Sequence, residues 1–400
     1  MKIVFILQFI LITTAFSQPN NFNEFLMKGK AEFKKDFDGN YAVAVENLEK
    51  AVKLEPRNAE AHYFLGYAYS RLNSKDGNSI VDMSLPLTVK ASEEFETVIK
   101  LTPKYVGEKV ILSPYSKISG EWGSLAMEYL NNNQSDSARW ALQEGKKRGG
   151  FSKFFLSVCR AVLDRCSDHS ILLSSGDNFT YPLAYLQNVE GYRTDVSVVD
   201  ISLLNAKWYP GFLVEGNHVQ FDLPRPVLDT VNYRAWKDSA ITIGRYTWLL
   251  KPSYKEQYIL RGDLIFLSML RANNFKRDIY FTASFLEDSR LSLGDYLEPL
   301  IIVDRLNFTD QSEMDFNRYQ SAIIKLVGLV QQVNTDDPDE LGFVPSFQYS
   351  ILKRIVSAMR SSDNEQAIEL FKVLDQYVNL DTYTGPVSYK KYADDLRKRL

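Results

Sequence analysis

Five polar or ionisable residues in the middle of the chain carry groups that could recognise a ligand: Asp177, Asn178, Thr180, Arg193 and Asp200. The first three follow a short apolar run, and Asp200 lies within a second one. Thr180 stands before a helix-like run, so we expect it to cap that helix and leave backbone amides free for an anion. Together these residues predict a small polar pocket for a sugar or a sugar phosphate.

The same residue types also fit a purely structural role. Asp177 and Asn178 are typical of a tight turn closed by their own side chains, and Arg193 with Asp195 would cap a loop. Turns and ligand sites use the same chemical groups, so the sequence leaves both interpretations open.

Apolar and turn-forming segments place these residues on an α/β unit. Residues 170–174 and 195–203 are rich in Ile, Leu and Val, which predicts two strands, and residues 181–189 between them predict a helix. A strand, a helix and a strand in this order give a parallel pair with a right-handed crossover. Asp177 and Asn178 would then lie past the end of the first strand, where open α/β sheets bind ligands.

Further elements extend this unit to an α/β domain over residues 168–308 with a partly parallel sheet. A helix is predicted at residues 262–270, a strand at 278–282 and another apolar strand at 296–306.

The α/β segment contains three motifs: Gly-Asp-Asn-Phe-Thr-Tyr-Pro-Leu from residue 176, Leu-Gln-Asn-Val-Glu-Gly from 186 and Leu-Leu-Asn-Ala-Lys-Trp-Tyr from 203. They resemble the extracytoplasmic part of a bacterial family of large membrane glycosyltransferases, relatives of the protein O-mannosyltransferases. Residues 274–281 resemble a further segment of that family. The matching positions of the first block are Gly176, Asp177, Asn178, Thr180, Pro182, Leu183, Gln187, Glu190, Gly191, Arg193, Asp195, Asn205, Trp208 and Tyr209.

The chain departs from that family in ways that bear on chemistry. Phe179 replaces an aspartate of the family motif, and Asp278 replaces a proline. The spanning helices that surround the catalytic site in such transferases are missing. The resemblance therefore implies the soluble appendage rather than the transferase, and we predict no catalytic residues. An unrecognised hydrolase is the remaining enzymatic alternative.

Motifs for metals and cofactors are also missing from the sequence. His62, His169 and His218 are scattered without metal-ligand spacing, and there is neither a nucleophile elbow nor a phosphate-binding glycine loop. We expect no metal and no cofactor. With 47 Lys and Arg against 50 Asp and Glu and no basic stripe, we expect no nucleic-acid partner.

Residues 18–150 contain small and large apolar residues at offsets that resemble the tetratricopeptide (TPR) pattern. In the second of three predicted hairpins, Gly66 and Ala91 are small where helices cross closely, while Tyr69 and Phe95 fill the groove between neighbours. Ala138 has the corresponding role in the third hairpin. Residues 73–87 are polar and predict a protruding loop.

TPR arrays commonly bind a peptide or a protein on their concave face, which makes a protein partner the leading expectation. The alternative is that the array packs against its own downstream domain and binds nothing.

The N-terminus resembles a secretory signal peptide. Lys2 precedes a long apolar run, and Ala15 and Ser17 supply small residues for cleavage, so we expect a mature chain from Gln18. A single membrane anchor is the alternative, although the run is shorter than the roughly 20 residues of a spanning helix. The expected protein is exported, periplasmic or at the cell surface, and does not span the membrane after cleavage.

Residues 312–400 are predicted to be helical, with residues 336–340 as an exposed acidic connection. The fold class expected is therefore mixed: TPR-like hairpins, a small α/β domain and a helical C-terminal region. Two functions follow as hypotheses. The first is an exported interaction or accessory protein linked to envelope glycosylation or secretion. The second is a module that binds a glycan or lipid-linked sugar through the Asp177 loop.

Overall fold

A computed structural model describes residues 21–35, 38–74, 80–282, 291–308, 316–385 and 387–400. The signal peptide expected at residues 1–17 lies outside the described residues. The described chain forms an array of helical hairpins, then a five-stranded mixed sheet with helices, then C-terminal helices. This order confirms the fold class that the sequence predicts.

The array consists of three consecutive hairpins in which each helix packs against the next. Side-chain caps start three of the six helices, because the side chains of Asn40, Asn58 and Ser113 accept from the amides of Val43, Ala61 and Ser116, respectively. The helices are α1 (Phe22–Phe33), α2 (Tyr41–Leu54), α3 (Ala59–Ser74), α4 (Leu85–Leu101), α5 (Pro114–Asn131) and α6 (Ser135–Lys147).

Small residues lie where these helices approach each other. A Cβ atom added to Gly66 on α3 would lie 3.0 Å from the Phe95 ring on α4. Ala91 and Ala138 have no exposed surface. Tyr69 is also buried, and its hydroxyl donates to Glu49 on α2 at 2.5 Å. The residues expected to pack the repeats are therefore buried in the core that the array shares.

The loop predicted at residues 73–87 is shorter than expected. Helix α3 continues to Ser74, and α4 already begins at Leu85. The buried Asn73 side chain donates to the Thr88 hydroxyl at 3.0 Å and accepts from the Ser84 amide at 2.7 Å. These bonds join the two helices across the insertion. The helix bounds leave residues 75–84 between α3 and α4.

The sheet has the strand order β2-β1-β7-β9-β8, in which β2, β1 and β7 are parallel and β9 runs antiparallel to both of its neighbours, β7 and β8. Two small ribbons, β3 with β6 and β4 with β5, were not expected from the sequence. The strands are β1 (Ile171–Ser174), β2 (Ser197–Asp200), β3 (Arg234–Ala235), β4 (Ser239–Ile243), β5 (Tyr246–Leu250), β6 (Tyr258–Ile259), β7 (Ile279–Thr282), β8 (Leu297–Pro299) and β9 (Val303–Leu306).

Helices cover both faces of this sheet, and two of the short ones, α9 and α10, were not expected. Side chains along β1 alternate between two cores: Ile171 and Leu173 face the side of α11, and Leu172 faces α7, α8 and the C-terminal helices. The helices are α7 (Lys153–Arg165), α8 (Asp177–Asn188), α9 (Tyr209–Glu215), α10 (Arg225–Thr230), α11 (Arg261–Asn273), α12 (Phe316–Val330), α13 (Pro338–Arg360), α14 (Asn364–Tyr377) and α15 (Val387–Arg397).

Three predicted boundaries in this domain are wrong. Helix α8 begins at Asp177 rather than at 181, because Gly176 adopts a φ of +84° and its carbonyl accepts from the amides of Phe179 and Thr180. Strand β2 ends at Asp200 rather than 203, because the Asp200 carboxylate accepts from the amides of Ser202 and Leu203 and turns the chain. The single strand expected at 296–306 is the hairpin β8–β9.

The acidic connection at residues 336–340 is mostly shielded from solvent, contrary to expectation, although Asp336 is exposed. Asp337 and Glu340 are both 2% exposed. The Ser113 hydroxyl donates to Asp337 at 3.0 Å, and the Ser113 amide donates to Asp339 at 2.8 Å. These carboxylates therefore bind the start of α5 and attach the C-terminal helices to the array.

The array and the α/β domain are joined by the packing of α8 against α5. Gly120 on α5 faces Asp177, and Gly123 faces the Tyr181 ring. The Tyr181 hydroxyl lies 2.7 Å from that of Ser124. Because these contacts occur in the same order along both helices, α8 lies alongside α5 in the same direction. Small residues on α5 permit this approach.

Replacing Gly123→Ala will destabilise the protein, because the added methyl group overlaps the buried Tyr181 ring. Overpacking of this kind costs about 1–3 kcal/mol, which urea denaturation measures directly. Gly328→Ala on α12 is the matched control, since its added Cβ meets no atom within 4 Å. The control should be as stable as the wild type, or more stable by up to about 1 kcal/mol. Equal effects of both changes would contradict the packing described.

Candidate functional site

Asp177 lies at the point of the sheet where α/β proteins bind ligands. The chain leaves β1 towards β2 on one side and returns to β7 on the other, so the strand order reverses beside the carboxyl end of β1. Asp177 follows that end as the first residue of α8. A Cβ atom on Gly120 would lie 2.8 Å from one Asp177 carboxylate oxygen. The array therefore forms one wall of this site.

The environment of Asp177 favours its protonated form. Burial raises the pKa of Asp177 to about 6, and the negative charges of Asp200 and Glu121 act in the same direction, while Lys117 opposes them. Within the described part of the chain, no hydrogen-bond partner contacts the Asp177 carboxylate. An acid with these properties could hydrogen-bond a ligand or exchange a proton near neutral pH.

A buried ion pair on α5 lies near Asp177. The Lys117 ammonium contacts the Glu121 carboxylate at 2.7 Å and donates to the Ser70 hydroxyl at 2.9 Å. It also lies 4.8 Å from the centre of the Tyr67 ring. Sequence analysis missed these residues, because their partners come from different hairpins and no motif links them to the α/β domain.

Thr180 and Asp200 form a structural network rather than an open pocket. Thr180 lies inside α8, so the expectation that it caps the helix from outside is wrong. Its hydroxyl bonds to the Asp200 carboxylate and lies 2.9 Å from the Ser174 hydroxyl. Burial raises the pKa of Asp200, and its hydrogen bonds oppose that rise. This network connects β1, β2 and α8.

Arg193 lies at the other end of the sheet from Asp177. It precedes β2, and its guanidinium donates to the carbonyls of Leu163 and Cys166 before β1, at 2.8 and 3.1 Å, and to Asp195 at 2.8 Å. Four residues of strand separate the two ends by about 13 Å. Arg193 therefore lies apart from the other four predicted residues. Its hydrogen bonds give it the structural role, capping a loop, that the sequence offered as an alternative.

Arg277, from the downstream part of the resembling motif, has the same kind of role. Its guanidinium donates to the carbonyls of His169, Ser170 and His218 and to the Ser197 hydroxyl, at 2.6 to 3.0 Å. Burial lowers the pKa of Arg277. Both arginines thus connect loops at the amino ends of the parallel strands.

Of the five predicted site residues, four meet at the carboxyl end of the sheet. Asp177 and Asn178 have side chains without hydrogen bonds to any described residue, whereas Thr180 and Asp200 bond to each other. Sugar recognition by the Asp177 loop stays a prediction that rests on Asp177 and Asn178.

Cys159 and Cys166 are free and buried, and burial raises the pKa of both thiols. They are not poised to act as nucleophiles. Over the described ranges, no group of three or more His, Cys, Asp or Glu side chains is arranged to hold a metal ion. In the same ranges no helix has the length and hydropathy needed to cross a membrane.

Comparison with known families gives two matches. A family described as TPR repeat matches residues 29–73, which run from α1 to α3. The chain contains a TPR repeat. A family described as TMEM260-associated domain 2 matches residues 156–214 and 231–321, which cover all nine strands, helices α8 and α11, and most of α7 and α9. No curated protein matches the chain.

These matches support part of what the sequence predicts. A TPR repeat supports a role in protein–protein interaction. The TMEM260-associated match covers the segment in which the glycosyltransferase-like motifs lie, but neither match confirms a relationship to glycosyltransferases.

Asp177→Asn will remove a pH dependence of stability. Between the ordinary carboxyl pKa and about 6, the folded state keeps a proton that the unfolded state releases, so wild-type stability falls as pH rises through this range. The variant lacks this loss and should gain about 2 kcal/mol over the wild type between about pH 4 and pH 8. Urea denaturation of both proteins across this range measures it.

Asp195→Asn is the control with the opposite sign. The Arg193 guanidinium holds the pKa of Asp195 well below its ordinary value. This variant should therefore lose stability at neutral pH, and the loss should shrink as the solution becomes acidic. A pH-independent difference between Asp177→Asn and the wild type would contradict the burial of Asp177.

Proposed function

We propose that this chain is an exported interaction protein in which the helical array binds a protein partner beside the α/β domain. The partner would belong to envelope glycosylation or secretion. The TPR match supports the interaction role. The packing of α8 on α5 supports a rigid connection between the partner and the α/β domain.

The observation that carries this proposal is a fixed loop with exposed apolar side chains. Residues 102–113 connect α4 to α5, and Val106 and Ile111 within them are 82% and 65% exposed. Isolated exposed apolar residues are common, but here two occur on one short segment.

Buried tyrosines of the array hold this loop in place. The Tyr63 hydroxyl accepts from the Val110 amide at 3.0 Å and donates to the Leu112 carbonyl at 2.8 Å. The Tyr67 hydroxyl accepts from the Leu112 amide at 2.7 Å. The Tyr105 ring stacks on Tyr63 with centroids 4.8 Å apart. The loop therefore presents Val106 and Ile111 on a surface that loses little conformational entropy on binding.

The loop also changes which surface of the array is available. Because its backbone bonds to Tyr63 and Tyr67, it lies against α3, and α8 lies against α5. These helices are thus partly covered by the chain itself. This agrees in part with the alternative that the array packs against its own downstream domain, and it directs a partner to the loop.

Val106→Asp with Ile111→Asp will remove partner binding without unfolding the array, because both side chains are mostly in water. Affinity isolation from envelope extracts, followed by quantitative mass spectrometry, should recover a partner with the wild type and at least about tenfold less with the double variant. Leu249→Asp is the matched control, since Leu249 is an exposed apolar residue of the β4–β5 ribbon. A partner lost equally with the control, or recovered equally with all three proteins, would contradict this proposal.

Export has a separate test. The mature protein isolated from its native cells should begin at Gln18, because Ala15 and Ser17 provide the small residues that signal peptidase requires. Intact-mass measurement shows the N-terminus, and Ala15→Lys should retain the leader. An uncleaved wild-type chain would favour the anchor alternative.

A further inference from the structure

A cavity of about 210 Å³ lies between the array and the α/β domain. It is bounded by the C-terminal ends of α5 and α8, by α9, and by strand β2, which is an edge strand of the five-stranded sheet. Ligand sites commonly occur at such junctions between domains. The cavity is separate from the Asp177 carboxylate, although Thr180 contributes to its wall.

One wall of the cavity is aromatic. The Phe212 and Tyr209 rings are stacked with centroids 5.8 Å apart, and Phe212 also packs against the His218 ring at 5.5 Å. Each of the three lines the cavity. Such a wall favours the C–H groups of a ligand over its hydroxyl groups.

Other lining residues of the cavity carry amide groups with unused hydrogen-bonding capacity. The side chains of Asn131 and Asn133, at the end of α5 and in the following turn, make no hydrogen bond to any described residue. The Asn188 amide nitrogen donates to the Ala184 carbonyl at 2.9 Å, which leaves its oxygen free among the described contacts. Amides both donate and accept, as the hydroxyl groups of a ligand do.

The cavity carries almost no charge. Glu215 is the one carboxylate among its described lining residues, and this side chain is 63% exposed and paired with Arg225 at 3.2 Å. No lysine or arginine is among those lining residues. Burial and the nearby Arg277 charge lower the pKa of His218, so its ring is neutral at pH 7. A charged ligand such as a sugar phosphate would have no partner here.

We infer that this cavity binds one uncharged sugar ring of a glycan or glycoside, with the ring's C–H face on Phe212 and its hydroxyl groups on Asn131 and Asn188. The volume is below the 300–1,000 Å³ range of pockets for drug-sized molecules and suits a single ring. A purine nucleoside, with a bicyclic base and a ribose, is larger than a single sugar ring and suits this volume less well. This site is independent of the proposed docking loop.

Saturation-transfer NMR and titration of the full chain test this inference. The probes are the methyl glycosides of glucose, galactose, mannose and N-acetylglucosamine, with glucose 1-phosphate and adenosine as comparators. At least one glycoside should bind with a Kd of about 1 mM, the affinity expected for so small a ligand. No binding by any glycoside, or binding by a comparator alone, would overturn it.

Three variants locate the binding. Asn131→Ala should weaken binding at least about tenfold by removing an amide from the wall. Asn132→Ala is the matched control, because this neighbouring side chain is exposed and does not line the cavity. Ala184→Phe should abolish binding by filling the space. Thermal melts confirm that each variant folds. If Ala184→Phe does not fold, the comparison of Asn131→Ala with Asn132→Ala is sufficient to locate the binding site. Equal affinity of Asn131→Ala and Asn132→Ala would place the sugar elsewhere.

Discussion

The close packing of α8 against α5 is the contact on which the rest of the structure depends. Gly120 and Gly123 carry no side chain at the points where Asp177 and Tyr181 lie, so two helices from different parts of the chain approach each other closely. Through this contact the helical array covers one side of the Asp177 site in the α/β domain. The same contact also creates the cavity at the C-terminal ends of both helices and partly buries the Asp177 side chain.

Residues that resemble a transferase family have a mainly structural role in this chain. Arg193 and Arg277 donate hydrogen bonds to backbone carbonyl groups at the amino ends of the parallel strands. Asp200 connects β1, β2 and α8 through Thr180 and two backbone amides. Buried polar groups need such partners, and a network of this kind fixes one arrangement of strands and helix. The motif therefore marks a fold, and its presence does not require the chemistry of the transferases.

Much of the array is covered by the chain itself. The loop after α4 is held on α3 by Tyr63 and Tyr67, and α8 lies on α5. The carboxylates of Asp337 and Asp339 attach the C-terminal helices to Ser113, the residue that caps α5. A partner would therefore bind the surfaces of the array that these contacts leave exposed to solvent.

The sequence by itself determined the three main regions and their order, but not the two ribbons or the short helices α9 and α10. Gly66, Ala91 and Phe95 recur at helical offsets, and apolar runs around residues 170 and 200 show the strands, because both patterns are local and follow from side-chain size and backbone period. Only the tertiary structure decided which polar residues meet. Arg193 and Asp177 are 16 positions apart yet lie at opposite ends of the sheet, while Lys117 and Asp177 are 60 positions apart and interact. Such pairings depend on how helices from distant segments pack, and no local pattern records that packing.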